Sequence, residues 1–110
     1  MVEIMAVIRP NRTSATKDAL IEVGYPGYTC HKAVGRGKKP VNIKLADGST
    51  IRTSLVTKRV LSIVVPDSAE EKVVNAIMEA NCTDNHGDGK IFVSHIEKSY
   101  SVHTKKYETD

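Results

Sequence analysis

The pattern of hydrophobic and polar positions predicts four strands and two helices. Apolar runs with the length of strands occupy residues 3–9, 27–34, 58–65 and 91–96. A helix is predicted over residues 14–23, with one apolar side formed by Ala19, Leu20 and Val23. Apolar residues three and four positions apart predict a second helix, whose stripe is Val73, Val74, Ile77 and Met78. Residues 98–110 alternate loosely, which predicts a short strand and a mobile end.

Residues with capping chemistry predict where these helices begin and end. Ser14 is a candidate N-cap of the first helix, and Gly24 stands where a left-handed residue ends many helices. Ser68 and Glu71 have the spacing of a capping box, so we expect them to open the second helix.

The order strand, helix, strand, strand, helix, strand predicts a ferredoxin-like βαββαβ sandwich of the α+β class. Both helices would then lie on one face of the sheet. The first and third strands carry apolar side chains on both sides, so the other face would stay bare in a monomer. We therefore expect a partner subunit to cover it.

Residues 35–57 differ from the rest because they are basic and poor in apolar residues. A segment of this length between two strands is usually a functional or disordered loop, so a long arm is predicted. Asp47–Gly48 has the chemistry of a hairpin tip. The alternative is that the whole segment is a plain extended hairpin.

Composition limits the function. The 110 residues with 40% hydrophobic content predict one domain over residues 1–110. The sequence has no apolar run near the length of a membrane span and no signal peptide, so a cytoplasmic protein without membrane insertion is expected. Cys30 and Cys82 are far apart and are expected to be reduced. A net charge of +3 with few aromatic residues does not favour nucleic acid as a ligand.

Residues 83–92 carry the clearest candidate chemistry. Gly87 and Gly89 allow a sharp turn that presents bare backbone N–H groups, and such groups form an anion site. Lys90 adds a positive charge at the edge of this turn. The pattern therefore predicts a phosphate-binding loop, although many Gly-Asp-Gly turns are only turns.

Several segments together resemble the PII (GlnB-like) nitrogen-signalling proteins over residues 1 to about 104. The matching segments are residues 4–10, Ala-Leu-Ile-Glu-Val-Gly at 19–24, Val-Val-Pro-Asp at 64–67 and Gly-Asp-Gly-Lys-Ile-Phe-Val at 87–93. Gly-Arg-Gly-Lys-Lys-Pro-Val at 35–41 is most similar to the nitrogen-fixation, NifI-type subgroup, and to the second of its two paralogues.

The resemblance implies a homotrimer, or a mixed assembly with a second PII-like paralogue, that binds ATP or ADP between subunits. It implies a T-loop at about 36–56, a B-loop at about 82–90 and a C-terminal segment at about 98–110. The implied nucleotide-binding residues are Thr29, Gly35, Gly37, Lys38, Val64, Thr83, Gly87, Asp88, Gly89, Lys90 and His103. With Mg-ATP bound, 2-oxoglutarate is expected at Gly37, Lys39 and Lys58. No residue is predicted as a catalytic group or a protein metal ligand.

The chain departs from the family pattern at several of these positions. Lys38 and Lys39 replace an arginine and a glutamine, and an ammonium group cannot ligate Mg²⁺. Ser101 and His103 replace two phosphate-binding arginines, so weaker or altered nucleotide binding is expected. Ile51 replaces the tyrosine that many bacterial relatives uridylylate, which excludes that modification there.

The resemblance further implies a regulator, not an enzyme, that docks on a target through its T-loop. The candidate docking residues are Lys44, Ser49, Ile51 and Arg52. Dinitrogenase is the expected target and an ammonium transporter the second candidate. Two other function classes are open: a phosphotransferase using His86 as nucleophile, and a nucleic-acid binder using Arg36, Lys38, Lys39 and Arg52.

Overall fold

The computed structural model describes residues 1–108, and within them every side chain except those of residues 37–39, 41 and 54. The strands are β1 (Val2–Ile8), β2 (Thr29–Lys44), β3 (Thr50–Val65), β4 (Gly89–His95), β5 (Ser99–Ser101) and β6 (Lys106–Glu108). The helices are α1 (Thr13–Glu22) and α2 (Glu70–Asn81), and short 3-10 turns precede them at Pro10–Arg12 and Asp67–Ala69. The predicted mobile end, at residues 109–110, lies outside the described residues.

The main sheet has the strand order β2-β3-β1-β4, and each neighbouring pair is antiparallel. At the centre, Ala6 of β1 pairs with Leu61 of β3 on one side and with Ile91 of β4 on the other. This order, with one helix in each crossover, confirms the predicted ferredoxin-like fold. The tail forms a separate antiparallel hairpin of β5 and β6, instead of a single short strand.

One face of the main sheet forms the core with both helices. On β1 the even-numbered side chains are buried, because residues two apart in a strand share a face. They pack with buried residues of β3 and of the helices. The full core cluster is Val2, Ile4, Ala6, Ile8, Leu20, Leu61, Ile63, Val65, Ala69, Val73 and Ile77.

The opposite face of the sheet carries apolar side chains that no helix covers. Met5 pairs with Phe92, and both are exposed, as is Val64 of the neighbouring strand. The expectation that β1 is apolar on both sides therefore agrees with the structure. That a partner subunit covers this face stays a prediction.

The predicted long arm at 35–57 is present, and it has the form of the alternative, an extended hairpin. β2 and β3 run on past the other strands and pair as far as Lys44 and Thr50. The ladder satisfies the backbone groups that face each other, and water can satisfy those that face outwards, so polar residues can form such an arm. The tip is at Asp47–Gly48 as predicted, with Gly48 at φ +88° and the Leu45 amide bonded to the Ser49 carbonyl at 2.7 Å.

Both predicted N-caps are wrong. α1 begins at Thr13, before Ser14, and α2 begins at Glu70, so that Ser68 lies in the preceding turn. Neither helix has a side-chain capping bond at its start. The reason is that 3-10 turns occupy these places, and their backbone bonds, such as Ala69 N–H to Pro66 O at 2.9 Å, satisfy donors that a cap would serve.

The predicted end of the first helix is confirmed. Gly24 has φ +90°, and its amide bonds to the Ile21 carbonyl while the Tyr25 amide bonds to the Leu20 carbonyl. This pair of bonds is the Schellman arrangement, which requires a left-handed residue at the position of the glycine.

A buried polar pair joins the two helices. Asn81 donates its side-chain amide to the Thr16 hydroxyl at 2.9 Å and to the Ile77 carbonyl at 2.9 Å. Thr16 in turn donates to the Arg12 carbonyl at 2.8 Å. The Arg12 guanidinium donates to the Ala80 carbonyl, so the start of α1 is tied to the end of α2. The loop that follows α2 therefore begins from a well-fixed point.

Thr16→Val should destabilise the protein by about 1–2 kcal/mol, because it removes the hydrogen-bond partner of a buried amide while conserving volume. Urea unfolding measures the change. Ser14→Ala is the control, since Ser14 is exposed and caps nothing; its effect should stay within about 0.5 kcal/mol. Equal stabilities of the two variants would contradict the role assigned to Thr16.

Candidate functional site

The loop between α2 and β4, residues 82–88, lies at the end of the sheet from which the hairpin arm emerges. β4 starts at Gly89, which pairs with Ile8 at the end of β1. On the other side of β1, Ile8 pairs with Arg59 of β3. Arg9 and Lys58 therefore border the loop.

Two cationic side chains converge on the loop backbone. Lys58 Nζ donates to the Gly87 carbonyl at 2.7 Å, and Arg9 Nε donates to the same oxygen at 3.0 Å. Arg9 Nη2 also donates to the His86 carbonyl at 2.8 Å. Charged side chains from the β1 and β3 side therefore hold the loop in place. The carbonyl groups that accept their hydrogen bonds are neutral.

Asp88 organises the loop from within. Its carboxylate accepts hydrogen bonds from the Thr83 amide at 2.7 Å, the Thr83 hydroxyl and the Asn85 amide at 3.3 Å. Arg9 Nη1 lies 3.4 Å from the same carboxylate. The donors on Thr83, then the Asn85 amide and the charge of Arg9, lower the pKa of Asp88 below its ordinary value. Both Asp88 and the Thr83 hydroxyl are therefore engaged inside the loop.

The backbone conformation requires glycine at positions 87 and 89, for partly different reasons. Gly87 has φ +87° and Gly89 has φ +130°, in the region that side chains disfavour. A Cβ on Gly89 would also lie 2.3 Å from the Val7 carbonyl oxygen, inside the sheet. Gly89 therefore lets the loop leave the sheet directly beside β1.

The site has an excess of positive charge. Lys90 pairs with Val7, which places it on the uncovered face of the sheet, the same face as Lys58. Burial and the nearby Arg9 charge lower the pKa of Lys58, while Asp88 opposes this shift. Arg9 and Lys58 thus lie close to the Asp88 carboxylate, whose hydrogen bonds are already made, and Lys90 adds a third positive charge two residues along the chain. Such an arrangement attracts an anionic ligand.

The structure brings together one part of the predicted site. The residues gathered at this end of the sheet are Lys58, Thr83, Gly87, Asp88, Gly89 and Lys90. Gly35 lies at the base of the arm, opposite Val56. The predicted docking residues Lys44, Ser49, Ile51 and Arg52 lie at the far end of the arm. Gly37, Lys38 and Lys39 fall outside the residues whose side chains are described.

A second part of the predicted nucleotide site lies elsewhere on the chain. Thr29 is on the edge strand β2 and pairs with Ser62, three strand spacings or roughly 14 Å from β4. Val64 pairs with Glu3, towards the opposite end of the sheet. His103 is in the turn of the C-terminal hairpin, between β5 and β6. The structure does not bring these three residues together with the loop.

Arg9 is the residue that the sequence pattern gave no reason to select. In the sequence Arg9 is the polar residue between an apolar strand and Pro10, and in the structure it directly follows β1. The one available signal was a guanidinium at the end of an otherwise apolar strand. Its function in holding the loop depends on residues 77 and 78 positions away in the chain.

Three further findings concern the part of the chain that the structure describes. Neither of its helices is long and apolar enough to cross a membrane. Among the same residues, no three of the types His, Cys, Asp and Glu gather as a metal site. Cys30 and Cys82 are free and exposed.

Comparison with known proteins gives one consistent match. The family model for nitrogen regulatory protein P-II matches residues 1–106. The nitrogen fixation nifHD region GlnB-like protein 2 of Methanobacterium ivanovii is 36% identical, over 100% of this chain and 98% of that protein. The nifHD region GlnB-like protein 1 of Methanothermobacter marburgensis is 38% identical, over 96% of this chain and 97% of that protein.

A third relative has a different name. The nitrogen regulatory protein GlnK2 of Haloferax mediterranei is 37% identical, over 97% of this chain and 87% of that protein. Percentage sequence identity therefore does not show whether this chain is more similar to GlnB-like protein 1, to GlnB-like protein 2 or to GlnK2.

Gly89→Ala should destabilise the protein by roughly 2–5 kcal/mol, because it combines an unfavourable φ with a clash against the backbone of β1. Thermal or urea unfolding measures the loss. Gly35→Ala is the matched control, since a Cβ there meets nothing within 4 Å, and its effect should stay within about 1 kcal/mol. A Gly89→Ala variant as stable as Gly35→Ala would mean that the loop leaves the sheet differently.

Asp88→Ala should open the loop and leave the fold intact. We expect amide exchange of Thr83 and Asn85 to accelerate roughly tenfold, because their carboxylate acceptor is lost. His86→Ala, which keeps the backbone carbonyl that Arg9 binds, should leave both amides protected. In the wild type the same protection should fade as the pH falls below 3.8, through the lowered pKa of Asp88. Unchanged exchange in Asp88→Ala would show that the carboxylate does not organise the loop.

Proposed function

This chain belongs to the nitrogen regulatory protein P-II family, and we propose that it senses ATP, ADP and 2-oxoglutarate and controls a target protein through its hairpin arm. Membership confirms the resemblance seen in the sequence motifs. One observation carries the proposal: Lys58 and Arg9 hold the Gly87 carbonyl at the place where the arm leaves the sheet.

An anionic ligand would compete for these donors. Hydrogen bonds from a cation to an anion are roughly twice as strong as those between neutral groups. Lys58 and Arg9 now donate to neutral carbonyl oxygens. Burial and the nearby Arg9 charge lower the pKa of Lys58, while Asp88 opposes this shift. A carboxylate of 2-oxoglutarate beside Lys58 supplies a negative charge, so its binding would draw the ammonium away from Gly87.

Nucleotide phosphates fit the loop for a related reason. Gly87 and Gly89 carry no side chain and have positive φ, a conformation in which backbone amides can turn towards an anion, and Lys90 adds charge beside them. Ser101 and His103 stand where relatives use arginines, so the loop carries more of the binding in this chain than in those relatives. Mg²⁺ enters the proposal with the nucleotide phosphates, because Lys39 offers no ligand to a metal.

Ligand binding reaches the arm through β3, which contains Lys58 and continues into the arm without a break. On the partner strand the pairing changes register, from Arg36 opposite Leu55 to Val41 opposite Thr53. Gly37 and Lys39, the other proposed 2-oxoglutarate residues, fall between these pairs. A ligand that binds one orientation of the arm more tightly shifts the arm towards that orientation.

The proposed target is dinitrogenase. The supporting observation is that relatives matching almost the full chain carry the name nitrogen fixation nifHD region GlnB-like protein. An ammonium transporter is the alternative target.

We further propose a trimer of this chain, or a mixed assembly with a paralogue, in which the uncovered sheet face of Met5 and Phe92 is buried. The proposal contains no catalytic step at His86.

Calorimetry of the assembled protein with ATP, ADP and 2-oxoglutarate tests ligand sensing. Lys58→Gln should weaken 2-oxoglutarate binding by about 10- to 100-fold, the equivalent of one charge-assisted hydrogen bond, and ATP binding by less. Lys17→Gln is the control, because Lys17 is exposed on α1, away from the loop.

The same titrations also report proton uptake on ligand binding. If Lys58 were only structural, binding would cause no such uptake at this residue. A ligand carboxylate raises the lowered pKa of Lys58 towards its ordinary value of 10.5, so binding at alkaline pH should take up protons. Binding enthalpies in buffers of different ionisation enthalpy measure this uptake. If the wild-type assembly bound neither ATP nor 2-oxoglutarate, the proposed function would be wrong.

A further inference from the structure

A cleft of about 430 Å³ lies between α2 and the edge strand β4, on the helix side of the main sheet. We call it the α2–β4 cleft. Its walls are apolar side chains of both elements: Val74, Ile77, Met78, Ile91 and Val93. Pockets that bind small molecules have this order of size and have mostly apolar walls with a few polar groups.

One polar group of this cleft has no hydrogen-bond partner. Asn81 lines the cleft and is only 6% exposed. In the part of the chain that the structure describes, Asn81 Oδ1 is the one buried side-chain nitrogen or oxygen that makes no hydrogen bond. A buried acceptor without a donor costs free energy, so a ligand that supplies a donor is favoured.

The neighbouring hydrogen bonds fix which amide atom of Asn81 is left over. The Thr16 hydroxyl donates to the Arg12 carbonyl, so it can only accept from Asn81. The amide nitrogen of Asn81 therefore faces Thr16, and it also donates to the Ile77 carbonyl. Both hydrogens of the nitrogen are used in this way, and the planar amide directs its oxygen away from Thr16.

The charges along the cleft favour a neutral ligand. The two charged residues that line it are Asp88 and Lys90. The Asp88 carboxylate is already bonded to the Thr83 and Asn85 amides, and Lys90 is on the uncovered face of the sheet. An ionic ligand would therefore lose its hydration among apolar side chains without gaining a counter-charge.

We propose that the α2–β4 cleft binds a neutral, apolar small molecule with one N–H or O–H donor, and that this donor bonds to Asn81 Oδ1. The inference goes beyond the proposed function and does not depend on it. Cys82, at the start of the loop, and Gly89, directly after its end, also line the cleft. The ligand thus contacts the loop from the helix side, whereas the proposed anions approach it from the uncovered face.

Indole is the probe that tests the inference, because it is flat, neutral and apolar and has one N–H donor and no acceptor. Indene has the same shape without the donor, so it is the matched control ligand. Each is titrated into the assembled protein, and the NMR shifts of the Ile77 and Met78 methyl groups report binding.

Three variants are compared with the wild type. Asn81→Leu removes the acceptor and keeps a side chain of similar volume. Val93→Trp fills the cleft from the exposed edge of β4. Ile21→Trp is its control, because it adds the same side chain at an exposed position of α1 outside the cleft.

We expect indole to bind the wild type and Ile21→Trp equally. Val93→Trp should bind it roughly tenfold or more weakly, because the apolar contacts of one ring are lost. The preference for indole over indene should fall about 2- to 10-fold in Asn81→Leu, the equivalent of one hydrogen bond.

The two native thiols give an independent measurement. Cys82 lines the cleft, Cys30 is on β2 at the other edge of the sheet, and both are free and exposed. Indole should slow the alkylation of Cys82 by iodoacetamide and leave the alkylation of Cys30 unchanged.

Three results would overturn the inference. If indole caused no methyl shift, a second copy of the chain would occupy the cleft in the assembly. Equal affinity of Val93→Trp and the wild type would place indole elsewhere on the protein. An indole preference that Asn81→Leu leaves unchanged would show that Oδ1 accepts no hydrogen bond from the ligand. Calorimetry with ATP on the same preparations tests the proposed function separately, so either conclusion can fail alone.

Discussion

The carbonyl oxygen of Gly87 is the point on which the functional end of this molecule depends. Lys58 from the central strand β3 and Arg9 from the end of β1 both donate to it, at 2.7 and 3.0 Å. These bonds can form because Gly89 brings the loop against the Val7 carbonyl, closer than any other residue could. Close backbone approach and convergent cations therefore occur together at this end of the sheet.

The arrangement has an electrostatic consequence. Two cations share a neutral oxygen, and the nearest carboxylate, Asp88, is already bonded to the Thr83 and Asn85 amides. Burial and the nearby Arg9 charge lower the pKa of Lys58, while Asp88 opposes this shift. The positive charge at this end of the sheet favours an anion there.

The long strand β3 joins this site to the arm. Residues 59–65 of β3 lie in the core sheet beside β1, Lys58 lies at its edge, and residues 50–57 form one side of the arm. Lys58 is thus on the same continuous strand as Ile51 and Arg52, which lie at the far end of the arm.

The sequence by itself determined the order of the elements, the apolar stripes of the core, the helix end at Gly24, the hairpin tip at Asp47–Gly48 and the glycines of the loop. These features depend on short-range chemistry: side-chain periodicity, and glycine where φ is positive. Tertiary structure alone decided that residues 35–57 pair as a hairpin, that 3-10 turns replace the Ser14 and Ser68 caps, and that Arg9 holds the loop. In each of these cases the deciding partner is a backbone group. A backbone carbonyl or amide is the same at every position of the chain, so only the fold can show which one a given residue meets.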